Sequence, residues 1–371
     1  MSYRIPTPPP SLEELARRQQ NVLTAGQLRA RGVPARTISG HCRRGGPWQR
    51  LLPRVYLLQS GGPSPEQRMW AALLYAAQSG REGGRGDGLG DGREDGRREG
   101  AVITGAAALA LYGFAAVPRL PAVTGVDVLV PRQRRLKDAG EVRIRRTERE
   151  LVARSVHGLA CAPVARAVAD ALREWTSGDR NGERGGAWGG GPAGERTGGG
   201  TAARPVPVRE VLCEAVRRPE LRCSVRELAA ELAESGLVAD PRVRAVLDGL
   251  LAAERDRVLE RVGELVDEWL LPVPMAGPEL RMRGGTYVAV PDLYWPQAGV
   301  AVEVDSELRC VSEGEAAWAR GGQHRMEYLG VRVVYVSGAR LAEDPDAVGA
   351  ELREAFRLGG TDVVELLATG W

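Results

Sequence analysis

The clearest periodic signal in the chain lies toward its C-terminal end. Along Val300-Ala301-Val302-Glu303-Val304-Asp305 the side chains alternate with period two. This predicts a β-strand with Val300, Val302 and Val304 facing a core and Ala301, Glu303 and Asp305 sharing the other face. The run Pro291-Asp292-Leu293-Tyr294-Trp295 precedes it, separated by Pro296-Gln297-Ala298-Gly299. If those four residues close a hairpin, Trp295 pairs with Val300, and counting back sets Asp292 opposite Glu303. Directly opposed residues share a face with Cβ atoms about 5 Å apart, so three carboxylates converge on one patch. Like charges at that distance repel, and the patch needs a cation. A metal ion would serve, and so would an arginine; Arg309, Arg320, Arg325 and Arg332 are the nearby candidates.

Around this hairpin the pattern predicts a strand over Thr286 to Val290 and a helix capped by Ser312 with Glu315 and running to Leu329. A strand over Val331 to Val336 and a terminal helix from Asp344-Pro345 to about Leu358 follow. Upstream lie helices over Val208 to Arg217 and Ser224 to Ser235, the latter opened by a Ser224/Glu227 capping box. A long amphipathic helix or helix pair then runs from Pro241 to Trp269. The order α-β-β-α-β-α packs as a sheet with helices on its faces.

At the other end, Leu12 to Gln20 reads as a short helix, Thr24 caps a second over Ala25 to Arg31, and Pro34 opens a third over Ala35 to Arg44, ended by Gly45-Gly46. Two short helices joined by a tight glycine turn are the helix-turn-helix pattern, whose second helix enters the major groove. Two strand-like runs within Trp48 to Leu58 would form a wing. On the third helix Ile38 and Cys42 anchor, while Arg36, Thr37, Ser39, Gly40 and Arg43 face outward. The middle of the chain offers a helix over Gly105 to Tyr112, strands over Val126 to Val130 and Val142 to Arg145, and a helix over Pro163 to Glu174 with one apolar stripe.

Two Gly- and Arg-rich stretches, 79–100 and 177–207, cannot bury a core and are expected to be disordered insertions. They divide an α/β multidomain chain into a winged helix-turn-helix domain (1–78), a middle α/β domain (101–176), a helical connector (208–270) and a C-terminal α/β sheet domain (271–371).

Composition sharpens this picture at a few points. At 371 residues with 43% hydrophobic content, the chain can hold two or three domains. Its net charge of +3 says little, but the distribution says more. Between Leu15 and Pro65 there is no Asp or Glu, whereas Arg17, Arg18, Arg29, Arg31, Arg36, Arg43, Arg44, Arg50 and Arg54 all fall there. The planar guanidinium bonds phosphates and guanine edges in pairs, so this span suits a double-stranded DNA surface, with Arg36, Thr37, Ser39, Arg43, Arg44, Arg50 and Arg54 as the candidate contacts. His41, His157 and His324 are each isolated, which excludes a histidine-based zinc cluster and leaves no evident His-paired nucleophile. Five scattered cysteines without Cys-x-x-Cys spacing read as reduced thiols. The N-terminus has no apolar signal core, and the uncharged run Ala101 to Pro118 reads as a buried helix. A cytoplasmic protein without membrane partners is therefore expected.

Two resemblances attach to these motifs. Over about Glu254 to Leu358, Pro291-Asp292, Glu303-Val304-Asp305, the following helix and the closing strand resemble the PD-(D/E)XK restriction-endonuclease-like superfamily, in particular its Vsr-like branch. The resemblance implies Mg²⁺ held by Asp292, Glu303 and the Val304 carbonyl. Asp305 stands at the position of the superfamily's lysine, and Glu260 matches an assisting acid on the preceding helix. The chain departs from the branch after Asp305. Ser306-Glu307-Leu308-Arg309-Cys310 replaces a Gly and a nearby His, and Gly321-Gly322-Gln323 stands where an Asp and an Arg are usual. Both a working Mg²⁺-dependent DNA endonuclease and a retained fold with weakened chemistry agree with this pattern. The span from Val22-Leu23-Thr24 to Arg54-Val55-Tyr56-Leu57, followed by Gly105 to Gly113 and Gly158 to Ala167, resembles the AbiEi-type antitoxins of type IV toxin–antitoxin systems. That resemblance implies operator binding, autorepression and a cognate toxin as partner.

Overall fold

The structure, a computed structural model of the chain, describes residues 10–78, 100–180, 207–304, 313–359 and 366–369. Most of the two Gly-rich stretches and Asp305 lie outside these residues. The chain divides into two compact units, Met1–Cys223 and Ser224–Trp371. Both mix helices with strands, and the described residues contain four sheets. No described helix is long and apolar enough to cross a membrane.

The N-terminal unit begins with α1 (Leu12–Arg18) and the short strand β1 (Val22–Thr24). At the start of α2 (Ala25–Ala30), the Thr24 hydroxyl accepts the Gln27 N–H at 3.1 Å and the Gln27 side-chain oxygen accepts the Thr24 N–H at 2.9 Å. These are the two reciprocal bonds of a capping box. The third helix, α3 (Ala35–His41), is shorter than its pattern predicts. The chain turns back beneath it at Gly46, where a Cβ would lie 2.2 Å from the His41 carbonyl oxygen, so only glycine fits. β2 (Gln49–Leu52) and β3 (Val55–Leu57) follow as an antiparallel hairpin, and β3 also pairs with β1, giving the order β1-β3-β2. Leu15, Leu23, Leu28 and Ile38 form the core beneath the helices, with Val33, Trp48 and Tyr56 packed around it.

Helix α4 (Pro65–Ala76) was not foreseen from the pattern. Met69 through Ala76 are all buried, so it shows no amphipathic stripe. It packs on β1, β2 and β3 and also on the second sheet of the unit. That sheet contains β4 (Val102–Thr104), β5 (Val126–Pro131), β6 (Val142–Thr147), β7 (Arg154–Val156) and β8 (Leu159–Cys161) in the order β6-β5-β4-β8-β7. Its helices are α5 (Gly105–Leu111) and α6 (Val164–Arg180), which pack against each other, and α7 (Val208–Arg217) packs on α6. α6 extends past Ser177, where the sequence expects a linker to begin.

In the C-terminal unit, α8 (Val225–Glu234) opens with the expected Ser224/Glu227 capping box, and α9 (Pro241–Glu268) is one continuous helix. β9 (Met275–Ala276), β10 (Glu279–Met282), β11 (Tyr287–Ala289), β12 (Leu293–Trp295), β13 (Val300–Val304), α10 (Glu313–Tyr328), β14 (Arg332–Val336), α11 (Gly338–Glu343), α12 (Pro345–Leu358) and β15 (Leu366–Thr369) follow. They form two sheets, ordered β14-β13-β12-β9 and β11-β10-β15. β13 and β14 run parallel, and α10 is the crossover between them.

That crossover changes the reading of the alternating strand. All of Val300–Val304 is buried, Glu303 included. Ala301 joins Tyr294, Leu280, Val288 and Met326 in one apolar cluster. On the opposite face, Trp295 meets the ring of Phe356 on α12 at 5.1 Å. Elements therefore cover both faces of the sheet, as is usual where strands pair in parallel.

Candidate functional site

Two groups of side chains stand out, one in each unit. In the N-terminal unit Arg36, Ser39, Arg43, Arg44, Arg50 and Arg54 are exposed, while Thr37 is half-buried and Ile38 is buried among the core residues. The helix thus keeps its apolar anchor inward and its cations outward. Cys42, the second expected anchor, is half-buried. Burial pushes its thiol above the ordinary value and the charge of Arg50 pulls it back, which sets the β2 guanidinium close to the end of α3. Arg54 occupies the tip of the β2–β3 turn after Pro53, at φ +62°.

Several other arginines of the unit are neutralised. Arg68 pairs with Glu141, Arg143 and Arg145 with Asp127, Arg166 with Asp170, and Arg218 with Glu214. Among the described residues, Arg36, Arg43, Arg44, Arg50 and Arg54 form no ion pair. Their span holds no acid to provide one.

In the C-terminal unit β12 pairs with β13 in the expected register, Trp295 with Val300, Tyr294 with Ala301 and Leu293 with Val302. The four-residue turn closes with the Ala298 N–H on the Trp295 carbonyl at 3.1 Å and with Gly299 at φ +59°. The ladder ends at Leu293 and Val302; the Asp292 N–H bonds the Val302 carbonyl at 3.1 Å, one residue off that register, so the expected pairing of Asp292 with Glu303 is not part of the ladder. Both are buried, at 2% and 4% relative exposure. On its other side Glu303 is paired in parallel register with Tyr335. Burial, then the hydrogen bond to Glu327, pushes the Tyr335 hydroxyl well above its ordinary value, with the charges of Glu327 and Glu303 adding to the shift.

Among the described residues, the cation seen on Asp292 is Arg255, from α9, which the sequence did not single out; Arg320 is exposed. Asp292 Oδ1 accepts the Arg255 Nε–H at 2.6 Å and a second N–H from the same guanidinium; Oδ2 accepts the Val304 N–H at 2.7 Å. Arg325 instead bonds the Val288 carbonyl at 2.9 Å and lies over the Tyr287 ring, and Arg332 is exposed. Arg309 and the side chain of Asp305 lie outside the described residues. Glu260 is exposed and sits five residues beyond Arg255, about 140° round the helix. The helix therefore directs an arginine, and not Glu260, to the carboxylate.

These contacts bear on whether the implied Mg²⁺ fits. Both oxygens of Asp292 already face protein donors, and the side chain is 0% exposed. A divalent ion bound there would stand beside a fixed guanidinium. As arranged, the described residues do not fit a divalent cation at Asp292.

A third cluster, missed in the sequence, lies on the sheet of the N-terminal unit. Asp127 is held by Arg143 at 2.7 Å and by Arg145 at 2.8 Å, and Arg143 also bonds Glu174 at 3.0 Å. Asp170 accepts from the Thr104 hydroxyl at 2.7 Å and from Arg166 at 2.9 Å. The signal was Arg143 and Arg145 two apart on one strand, with Asp127 in register beside Arg143 on the next. Each of these carboxylates has a cationic partner, so the cluster acts as an internal tie across the sheet. Burial pushes the nearby Cys161 thiol up to about 12, which leaves it protonated and unreactive at neutral pH.

No protein-family model matches the chain, and comparison with curated proteins finds no match.

Proposed function

We propose that this chain is a double-stranded-DNA-binding regulator of the antitoxin type. In this reading the N-terminal elements α2, α3 and the β2–β3 hairpin act as a winged helix-turn-helix, and the C-terminal unit is a restriction-endonuclease-like fold used for binding instead of cleavage. One observation carries the proposal. Among the described residues, five exposed arginines on α3, its following loop and the hairpin are left without carboxylate partners, because the span that carries them holds no acid. A surface of uncompensated guanidinium groups is matched by phosphates, and the exposed side chains of a short helix anchored by Ile38 are matched by a groove. The order of the N-terminal motifs supports an AbiEi-like role, with operator binding and a toxin partner.

The test is fluorescence anisotropy of the full chain with labelled duplex DNA. Wild type is expected to bind. Arg36→Ala with Arg43→Ala should lose affinity on all sequences, whereas Arg145→Ala, which alters a carboxylate-paired arginine, should not. Equal loss in both, or no binding by wild type, sinks the reading.

A second reading, a Mg²⁺-dependent endonuclease, is favoured by two buried carboxylates, Asp292 and Glu303, at the end of the β12–β13 hairpin. It requires Mg²⁺- or Mn²⁺-dependent cleavage that Asp292→Ala abolishes. The Arg255 guanidinium on Asp292 weighs against it.

A further inference from the structure

The surface proposed for duplex DNA contains a residue that the packing of the protein does not explain. Gly40 is the penultimate residue of α3, and Arg36 stands one turn before it on the same face. Ser39 beside it is exposed, as are Arg43 and Arg44 in the loop just beyond the helix. The glycines that follow have internal reasons: Gly45 takes φ +80°, and a Cβ on Gly46 would strike the His41 carbonyl. Gly40 has neither reason. Its backbone is helical and outside the left-handed region, and apart from the adjoining backbone of α3 a Cβ on it would meet nothing within 4 Å. Glycine is the poorest helix former after proline, so in a helix of seven residues it destabilises with no internal gain. What glycine permits at such a place is close approach of the backbone to something outside the chain.

We propose that Gly40 is the point at which α3 seats in the major groove, and that this makes Ser39 a reader of a base edge; the inference rests on the DNA reading of this surface. The lengths of the side chains carry it. Arg36, Arg43 and Arg44 are long enough to reach phosphates from a helix held away from the groove floor. A serine hydroxyl stands one bond beyond Cβ, so it reaches a base edge only when the helix backbone lies close. With no side chain at Gly40, nothing props the helix outward beside Ser39. The arginines then hold the duplex, while Gly40 sets the depth on which sequence preference depends.

The experiment measures fluorescence anisotropy of the full chain with two labelled probes, a duplex selected by wild type from a random-sequence pool and the unselected pool itself. Gly40→Ala should unfold at a denaturant concentration no lower than wild type, because alanine is the better helix former. Its preference for the selected duplex over the pool should nevertheless fall about tenfold, equivalent to one lost base contact. Ser39→Ala should share that loss, and Gly40→Leu should exceed it. None of these changes removes a charge, so the salt dependence of pool binding should stay that of wild type. Arg36→Ala with Arg43→Ala should instead weaken binding to both probes. Preference retained by Gly40→Ala or by Ser39→Ala would overturn the inference. So would a Gly40→Ala chain less stable than wild type, since the glycine would then serve the fold. Wild-type binding without preference for any sequence overturns it too and leaves the DNA reading standing, whereas no binding at all removes both.

Discussion

The carbonyl oxygen of Arg54 accepts the N–H of Ala25 at 2.9 Å, tying the tip of the β2–β3 turn to the first residue of α2. The bond holds Arg54 at φ +62°, a left-handed conformation that costs a residue with a Cβ about 1–2 kcal/mol and that glycine adopts freely. An exposed arginine in that position is a local choice against stability, which fits a side chain required at the turn tip for contact. Arg54→Gly should therefore raise stability by roughly 1 kcal/mol in urea unfolding while weakening duplex affinity. If stability rises and affinity is unchanged, Arg54 does not belong to the interface.

Two glycines of the C-terminal unit should respond in opposite directions to the same change. A Cβ on Gly349 of α12 would lie 2.7 Å from the indole of Trp269, which is itself covered by the Arg353 guanidinium at 3.7 Å. Gly349→Ala should cost about 1–3 kcal/mol by overpacking, more than helix propensity returns. On α10, a Cβ on Gly322 would meet Ala289 at 3.5 Å, ordinary contact. Gly322→Ala should stabilise the unit by up to about 1 kcal/mol. Denaturant midpoints measured for both variants at unchanged slope check the pair.

Acid should act on the start of α9. The side chain of Arg242, and then the N–H groups of Arg242 and Val243, hold the Asp240 carboxyl below its ordinary value of 3.8, despite some desolvation. A depressed value in the folded state contributes stability that is present above the unfolded value and is lost as pH falls through the folded one. Asp240→Ala should thus cost about 1 kcal/mol at neutral pH. The gap to wild type should stay constant down to about pH 5 and shrink below about pH 4. A gap that widens on acidification contradicts the assignment.

The hairpin register was legible because period-two alternation and a four-residue turn with Gly299 jointly fix which residues oppose each other. The acid-free arginine span was legible from composition, and the start of α3 from Pro34, whereas Gly45-Gly46 placed its end three residues too late. Other features left no local trace. α4 is buried on every side from Met69 to Ala76, so it offers no stripe to detect. β1, β9 and β10 are only two to four residues long and are defined by their partners. The contact from Arg255 to Asp292 spans 37 positions and depends on how α9 is rotated, which an apolar spacing fixes only to within a face. Burial of Glu303 was hidden because alternation reads as one solvated face, whereas the parallel partner β14 and its crossover helix cover it.

The salt dependence of duplex binding by the full chain tests the central claim most directly. If Arg36, Arg43, Arg44, Arg50 and Arg54 each neutralise one phosphate, the logarithm of the binding constant should fall with the logarithm of salt concentration at a slope of about −4.5. Affinity would then drop roughly 500-fold between 50 and 200 mM salt. Replacing Arg36 and Arg43 by Ala should make the slope shallower by about 2. A slope near zero, or one that those replacements leave unchanged, would contradict the assignment of this surface to DNA.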